Sequence, residues 1–206
     1  MAQDSVKYTT EVYRQVARLH AANLDQGFLS SLGVGFLTEL YRAIDRCPQS
    51  VLIVKTEQGK VVGFVTGLAG SMTLVYKHLM RRFLIWSMPL FPVLCSPTRM
   101  SRVAEILRYT KKGPARSDLP TAELLSIVVD PAYRGKGIAE SLYADLTAYF
   151  KQMQVGRFKI VVGEKLAPAH KFYQRMGAQP WTDLELHQGA KSVVYVQTLA
   201  PAAGSS

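Results

Sequence analysis

The chain has 206 residues, enough for one full-sized core and short for two, so one domain over 1–200 with a disordered tail at 201–206 is expected. With 48% hydrophobic and 19% charged residues, its composition excludes a disordered or low-complexity chain. The formal net charge of +10 is unevenly placed: between Tyr76 and Arg116 nine Lys and Arg residues are opposed by one acid, Glu105. Such a segment suits an anionic partner, whether a nucleotide, a phosphate ester or an acidic lipid.

In chain order, a short strand near Val6–Tyr8 precedes a helix over about Thr10–Ala22, where Val12, Val16 and Leu19 share a face. A second helix fits Phe28–Arg46, with Leu32, Phe36, Leu40, Tyr41 and Ile44 at helical spacing and Pro48 as its stop. SVLIVKTEQGKVVGFVTGLAG reads as a hairpin, with strands at 50–56 and 61–69 around a turn containing Gly59. Residues 73–110 read as amphipathic helix interrupted by Pro89, Pro92 and Pro97. The apolar run FLIWSMPLFPVLC within them is too short to span a bilayer. TAELLSIVV, 121–129, is apolar almost throughout, as a strand covered on both faces would be. A helix over about 138–153, a strand over 158–164, a helix over 167–176 and two closing strands, TDLELH and SVVYVQTL, complete a mixed α/β sheet.

The stretch VVDPAYRGKGIAESL, 128–142, carries the chemistry. It places Gly135 and Gly137, flanked by Arg134 and Lys136, where a strand turns into a helix. A helix start exposes unpaired N–H groups and favours negative charge, and glycines let a ligand approach that backbone. The combination suits a phosphate or diphosphate. The alternative is a tight strand–helix turn with solvated cations. A Walker A loop is absent, and the third glycine of a dinucleotide fingerprint is missing.

What fits is Arg134-Gly135-Lys136-Gly137-Ile138-Ala139, followed downstream by Ala169-His-Lys-Phe172-Tyr173-Gln-Arg-Met-Gly177. In these two motifs, in this order and with a strand between them, the chain resembles the GNAT superfamily of acetyl-CoA-dependent N-acetyltransferases. It departs from that pattern at Leu166, where the family often has Asn, and at Ala178, where it usually has Phe.

The resemblance implies the GNAT fold, a mixed central sheet flanked by helices, here with a helical insertion of about 70–120 between the third and fourth strands. It implies that backbone amides of 134–139 hold the diphosphate of coenzyme A. Strand residues Ile127, Val128 and Val129 would bond the pantetheine arm, with Ala169 and Phe172 beside it. Tyr173 would be the acid that protonates the leaving thiolate, and a phenol suits that task because its pKa lies near that of a thiol. Its other reading is an aromatic core residue. Glu123, eleven residues before Arg134, would be the base that takes the amine proton. A carboxylate in an apolar strand is raised toward neutral pH, unless it is solvated and merely paired with a cation.

For the acceptor, the resemblance implies a small-molecule primary amine. Arg81, Arg82, Arg99 and Arg102 could hold an anionic acceptor such as an amino sugar of an envelope pathway, with Ser126 nearby. The basic insertion also reads as a peripheral contact with an anionic membrane, or as core-packed helices with a solvated basic face. An acetyltransferase of protein amines and a silent module that binds coenzyme A, a membrane or RNA are the competing functions. No nucleic-acid motif accompanies the charge. Ser126, Glu164, His170 and His187 are weaker candidates, and the four histidines and two cysteines, Cys47 and Cys95, show no metal-ligand spacing. Without a secretion-like N-terminus, free thiols and a cytoplasmic location, at most peripheral at the membrane's inner face, are expected.

Overall fold

The computed structural model describes residues 7–24, 32–70, 72, 75, 118–186 and 190–200. Helix α1 spans Thr10–Asn23 and begins where the Thr9 hydroxyl accepts a bond from the Val12 N–H at 3.4 Å. Its buried residues Tyr13, Val16, Ala17 and His20 recur at helical spacing along one face. Helix α2 spans Gly33–Arg46 and buries Leu37, Leu40, Tyr41 and Ile44. Gly33, its first residue, stands at φ +84°, a left-handed conformation that glycine adopts readily. The expected first turn of this helix, 28–31, lies outside the described residues.

Strands β1 (Ser50–Glu57) and β2 (Lys60–Leu68) form the expected hairpin. Gln58 and Gly59 both have positive φ, 49° and 78°, so the two-residue turn follows the right-handed twist of the strands. After them come β3 (Glu123–Val129), α3 (Ile138–Gln152), β4 (Arg157–Gly163), α4 (Ala167–Arg175), β5 (Gln179–Leu186) and β6 (Ala190–Thr198). The six strands form one sheet in the order β1-β2-β3-β4-β6-β5. All neighbours are antiparallel except β3 and β4, which run parallel.

Two apolar layers sandwich the sheet. On one face α1 and α2 pack Tyr13, Leu37 and Tyr41 against Leu52, Phe64 and Val128. On the other, Leu142, Leu146 and Phe150 of α3 and Tyr173 of α4 pack against Val65, Leu124, Ile160 and Tyr195. Among the described residues no helix is long and apolar enough to cross a membrane.

The strand expected near Val6–Tyr8 is not present at Lys7 and Tyr8, and Val6 lies outside the described residues. Tyr8 anchors the chain through its side chain instead. Its ring meets Tyr13 edge-on at 6.2 Å, and its hydroxyl donates to the Leu52 carbonyl at 3.4 Å. The long segment expected between a third and a fourth strand therefore joins β2 to β3. Its helices and its arginines, Arg81, Arg82, Arg99 and Arg102, lie outside the described residues, as do Cys95 and His187. Cys47 is a buried free thiol.

Candidate active site

The centre of the sheet is open. Strands β3 and β4 pair at only two positions, Glu123↔Lys159 and Leu124↔Ile160, and then diverge. On its other side β3 pairs with β2 along its length, with an irregularity that leaves Leu125 as an extra residue between Thr66↔Ser126 and Gly67↔Leu124. This bulge turns the rest of the strand away from β4. The same divergence explains why Leu125, Ser126 and Ile127 are only half-buried, although the segment reads as a fully covered strand. Asp130 N–H donates to the Val62 carbonyl at 2.9 Å, so the alternate residues Val128 and Ser126 also face β2. Ile127 and Val129 direct their backbone groups into the opening.

At the far end of β3 the chain makes a single 3₁₀ turn, Pro131–Tyr133, capped by the Asp130 side chain on the Ala132 N–H at 3.0 Å. Asp130 is itself held by Lys60 at 2.9 Å, which keeps its carboxyl below the usual range. Gly135 and Gly137 follow at φ +75° and +76°, and a Cβ at either would meet only open space. The Arg134 N–H is engaged by the Pro131 carbonyl at 3.4 Å. The free amides therefore begin at Gly135 and run through Lys136, Gly137, Ile138 and Ala139 into the first turn of α3. Arg134 turns its side chain back, donating to the Val129 carbonyl at 3.2 Å and to Asn23 Oδ1 at 2.8 Å. The Lys136 ammonium lies over the Tyr133 ring at 4.7 Å from its centre. An open cavity of about 380 Å³ adjoins the loop, lined by Lys55, Tyr133, Lys136, Gly137, Ile138 and Ser141.

Across the opening, α4 begins at Leu166 without a side-chain cap, and Leu166 is half exposed. His170 fastens the helix. Its Nε2 meets the Gly163 carbonyl at 3.1 Å and its Nδ1 the Tyr195 hydroxyl at 2.8 Å. One turn on, Tyr173 is 6% exposed, among the rings of Tyr143, Phe172 and Tyr195. Burial, with Tyr143 beside it, lifts its pKa well above the ordinary phenol value, so the hydroxyl stays protonated. At the closed end of the opening the Glu123 carboxylate stands 3.3 Å from Lys159 Nζ. Burial pushes Glu123 up, and Lys159 draws it partly back.

A splayed parallel pair beside a glycine cradle is the arrangement expected of an acyl-CoA site, and the sequence comparison agrees. The model of the Acetyltransferase (GNAT) family matches residues 21–178. The chain belongs to the GNAT acetyltransferase family. As a GNAT protein it is an acyltransferase whose acetyl donor is acetyl-CoA. No curated protein matches the sequence. Among solved structures, the chain is similar to an acetyltransferase at 17% identity and a TM-score of 0.63, covering 93% of this chain and 97% of that one. It is similar to aminoglycoside 6′-acetyltransferase type Ii at 11% identity and 0.62, covering 97% of each chain. It is also similar to a ribosomal-protein-alanine N-acetyltransferase from Brucella melitensis at 12% and 0.61, covering 93% and 97%. At these identities the likeness is one of fold.

The residues present fit acetyl-CoA. The open space over Gly135 and Gly137 and the run of free amides suit a diphosphate, and the backbone groups of Ile127 and the N–H of Val129, which face the opening, suit amides of a pantetheine arm, the Val129 carbonyl being taken by Arg134. The structure brings Glu123, Ser126, Ile127 and Val129 onto one strand and Tyr173, with Ala169 and Phe172, onto the helix across the opening. Sequence reading missed the surroundings of Ser126. Its hydroxyl is 2.7 Å from that of Thr66. In the core on the α1–α2 side, the Tyr41 hydroxyl of α2 meets Nδ1 of His20 of α1. The signal was there as polar residues on otherwise apolar helix faces, but nothing in the sequence says which strand position they meet.

Proposed function

We propose that the protein acetylates a primary amine on a small anionic molecule, such as an amino sugar bearing phosphate, by direct attack in a ternary complex. What supports this acceptor class is the placement of the positive charge. The segment with nine cations and one acid leaves β2 after Leu68 and returns at Glu123, and these two residues are register partners. The basic segment is thus tethered at the Glu123 end of the opening, where Arg81 and Arg82 would hold the anionic group of the acceptor.

Acetyl-CoA supplies an acetyl group as a thioester, an electrophilic carbonyl. The amides of residues 135–139 hold its diphosphate, and the backbone groups of Ile127 and the N–H of Val129 bond the pantetheine arm, with Ala169 and Phe172 beside it; Val128, expected to join them, faces β2 instead. Glu123 accepts the proton of the attacking amine, and burial, which raises its pKa, makes its carboxylate a stronger base than an exposed one. Tyr173, kept protonated by burial, gives its proton to the departing sulfur.

Calorimetric titration of acetyl-CoA into the parent and into Gly137→Glu tests the donor site; binding only by the parent is expected. A thiol-release assay then compares glucosamine 6-phosphate, kanamycin, spermidine and a peptide with a free N-terminus. The highest kcat/KM is expected for glucosamine 6-phosphate. Preference for kanamycin, spermidine or the peptide overturns the anionic acceptor.

A further inference from the structure

The two faces of the sheet carry different parts of the reaction. Glu123 is in register with Leu68, which belongs to the α1–α2 layer, so its side chain lies on that face. Tyr173 belongs to the opposite layer, with α3. An amine that gives its proton to Glu123 while Tyr173 protonates the sulfur therefore arrives from the α1–α2 face. Helix α1 lies against β3 on that face, and its last residue, Asn23, meets the loop that holds the donor.

A guanidinium makes that contact. Arg134 immediately precedes Gly135, where the free amides of the cradle begin. Its Nε donates to the Val129 carbonyl at 3.2 Å and its Nη2 to Asn23 Oδ1 at 2.8 Å. Asn23 is oriented for this contact. Its Nδ2 donates to the Leu19 carbonyl one turn back at 2.9 Å, which leaves Oδ1 to accept from Arg134. The C-terminal end of α1 also favours a cation through the helix dipole. On the other side of the loop, Lys60 of β2 holds Asp130 at 2.9 Å, and Asp130 caps the 3₁₀ turn. The loop is thus tied to β2 through Asp130 and to α1 through Arg134. A planar fork that spans two acceptors on separate elements fixes their spacing, whereas a single ammonium does not.

We propose that Arg134 is a positioning residue that couples the two substrate sites, because through Asn23 it ties the end of α1, on the acceptor's side of the opening, to the donor's cradle. A diphosphate seated on the amides of 135–139 fixes the loop, the loop fixes the guanidinium, and the guanidinium fixes the last turn of α1. The acceptor then meets a wall already in place and binds the donor-loaded protein more tightly than the free one. By linkage, a bound acceptor tightens the donor by the same factor. The clasp is solvent-exposed, which puts the coupling at about fivefold, the low end for linked sites.

The coupling rests on the amine-acetylation reading above, and the test separates the two. Hydrogen exchange at the backbone amides of residues 19–24 in the full-length protein, read with and without acetyl-CoA, needs no acceptor. Acetyl-CoA should slow exchange there in the parent and in Asn23→Asp, whose carboxylate still accepts from the guanidinium. The slowing should vanish in Asn23→Ala and in Arg134→Lys, which keeps the charge without the fork. Calorimetry should find acetyl-CoA affinity close to the parent's in all three variants. Equal slowing in Asn23→Ala, or none in the parent, overturns the clasp. Acetyl-CoA affinity lost in Arg134→Lys and kept in Asn23→Ala would make the guanidinium a diphosphate ligand instead, and overturns it too.

With whichever of the four amines turns over, Asn23→Ala and Arg134→Lys should raise the acceptor KM about fivefold at parental kcat, and Asn23→Asp should keep the parental KM. A fall in kcat at unchanged acceptor KM, as general loosening of the fold would give, counts against the coupling. A parent that turns over none of the amines ends the acetylation reading, and the exchange result still decides the clasp.

Discussion

Glu123 and Lys159 face each other at 3.3 Å across one of the two rungs that join β3 to β4. The pair therefore sits where the sheet stops being continuous, and Lys159 Nζ is also anchored by the Pro120 carbonyl at 3.1 Å. Burial raises the Glu123 pKa and the ammonium opposes it. As a base, Glu123 acts only when ionised, so the acid limb of kcat/KM should lie above the ordinary carboxylate range. Lys159→Met removes the opposing charge and should move that limb to still higher pH. A limb that stays in place in a pH–rate profile removes Glu123 as the base. Stability has its own sign. A carboxyl raised in the folded state binds its proton more tightly there, so this group's contribution to stability is full below the unfolded pKa and is lost as pH rises through the folded value.

Tyr173 is kept protonated by burial, and its raised pKa removes any basic limb from this residue across the neutral range. Tyr173→Phe keeps the ring contacts with Tyr143 and Tyr195 and deletes only the acid. We expect kcat to fall by about 10²- to 10⁴-fold, the usual range for a general acid, with acetyl-CoA affinity unchanged. Steady-state kinetics beside calorimetry reads both. Undiminished turnover would leave the thiolate to depart without this proton.

The elements were legible because their signals are local. Helix periodicity located α1, α3 and α4, and the Gln58-Gly59 turn located the hairpin. Gly135 and Gly137 marked the cradle because their φ values admit no ordinary side chain. The opening itself was legible only through the family resemblance. The apolar run of β3 looks the same whether β4 follows it for two rungs or for six, and the bulge at Leu125 depends on how β2 pairs. Likewise the side chain of Arg134 reads as a phosphate ligand until the end of α1 is seen to bring Asn23 within 2.8 Å. Long-range pairing of this kind leaves no mark on the spacing of residues.

The packing of α3 on β2 depends on two glycines that look interchangeable in sequence. At Gly67 a Cβ would overlap Leu146 and stand 3.0 Å from Phe150; at Gly63 the nearest atoms are at 3.1 Å. Gly67→Ala should cost about 1–3 kcal/mol by overpacking, because Leu146 and Phe150 are fully buried and have nowhere to move. Gly135→Ala, with open space around it, should cost only the left-handed backbone penalty of about 1–2 kcal/mol while weakening acetyl-CoA binding. Urea unfolding and calorimetry on both variants check the contrast. A Gly67→Ala protein as stable as the parent would mean that α3 lifts freely from the sheet.

His170 has the same logic in polar form. A carbonyl can only accept, so the Nε2 that meets Gly163 carries the hydrogen, and in the neutral ring Nδ1 accepts from the Tyr195 hydroxyl. One side chain thus ties the uncapped start of α4 to the end of β4 and to β6, one helical turn before Tyr173. His170→Ala removes both bonds and leaves the Tyr195 hydroxyl without its acceptor, which should cost about 1–3 kcal/mol. Because α4 carries Tyr173, kcat should fall as well, and Tyr195→Phe, which spares the Gly163 bond, should lose less of each. Thermal unfolding and kcat measured on the two variants decide it. Equal losses in both would place the weight on Tyr195, whereas a His170→Ala protein with parental kcat would show that Tyr173 is held in place by its aromatic neighbours alone.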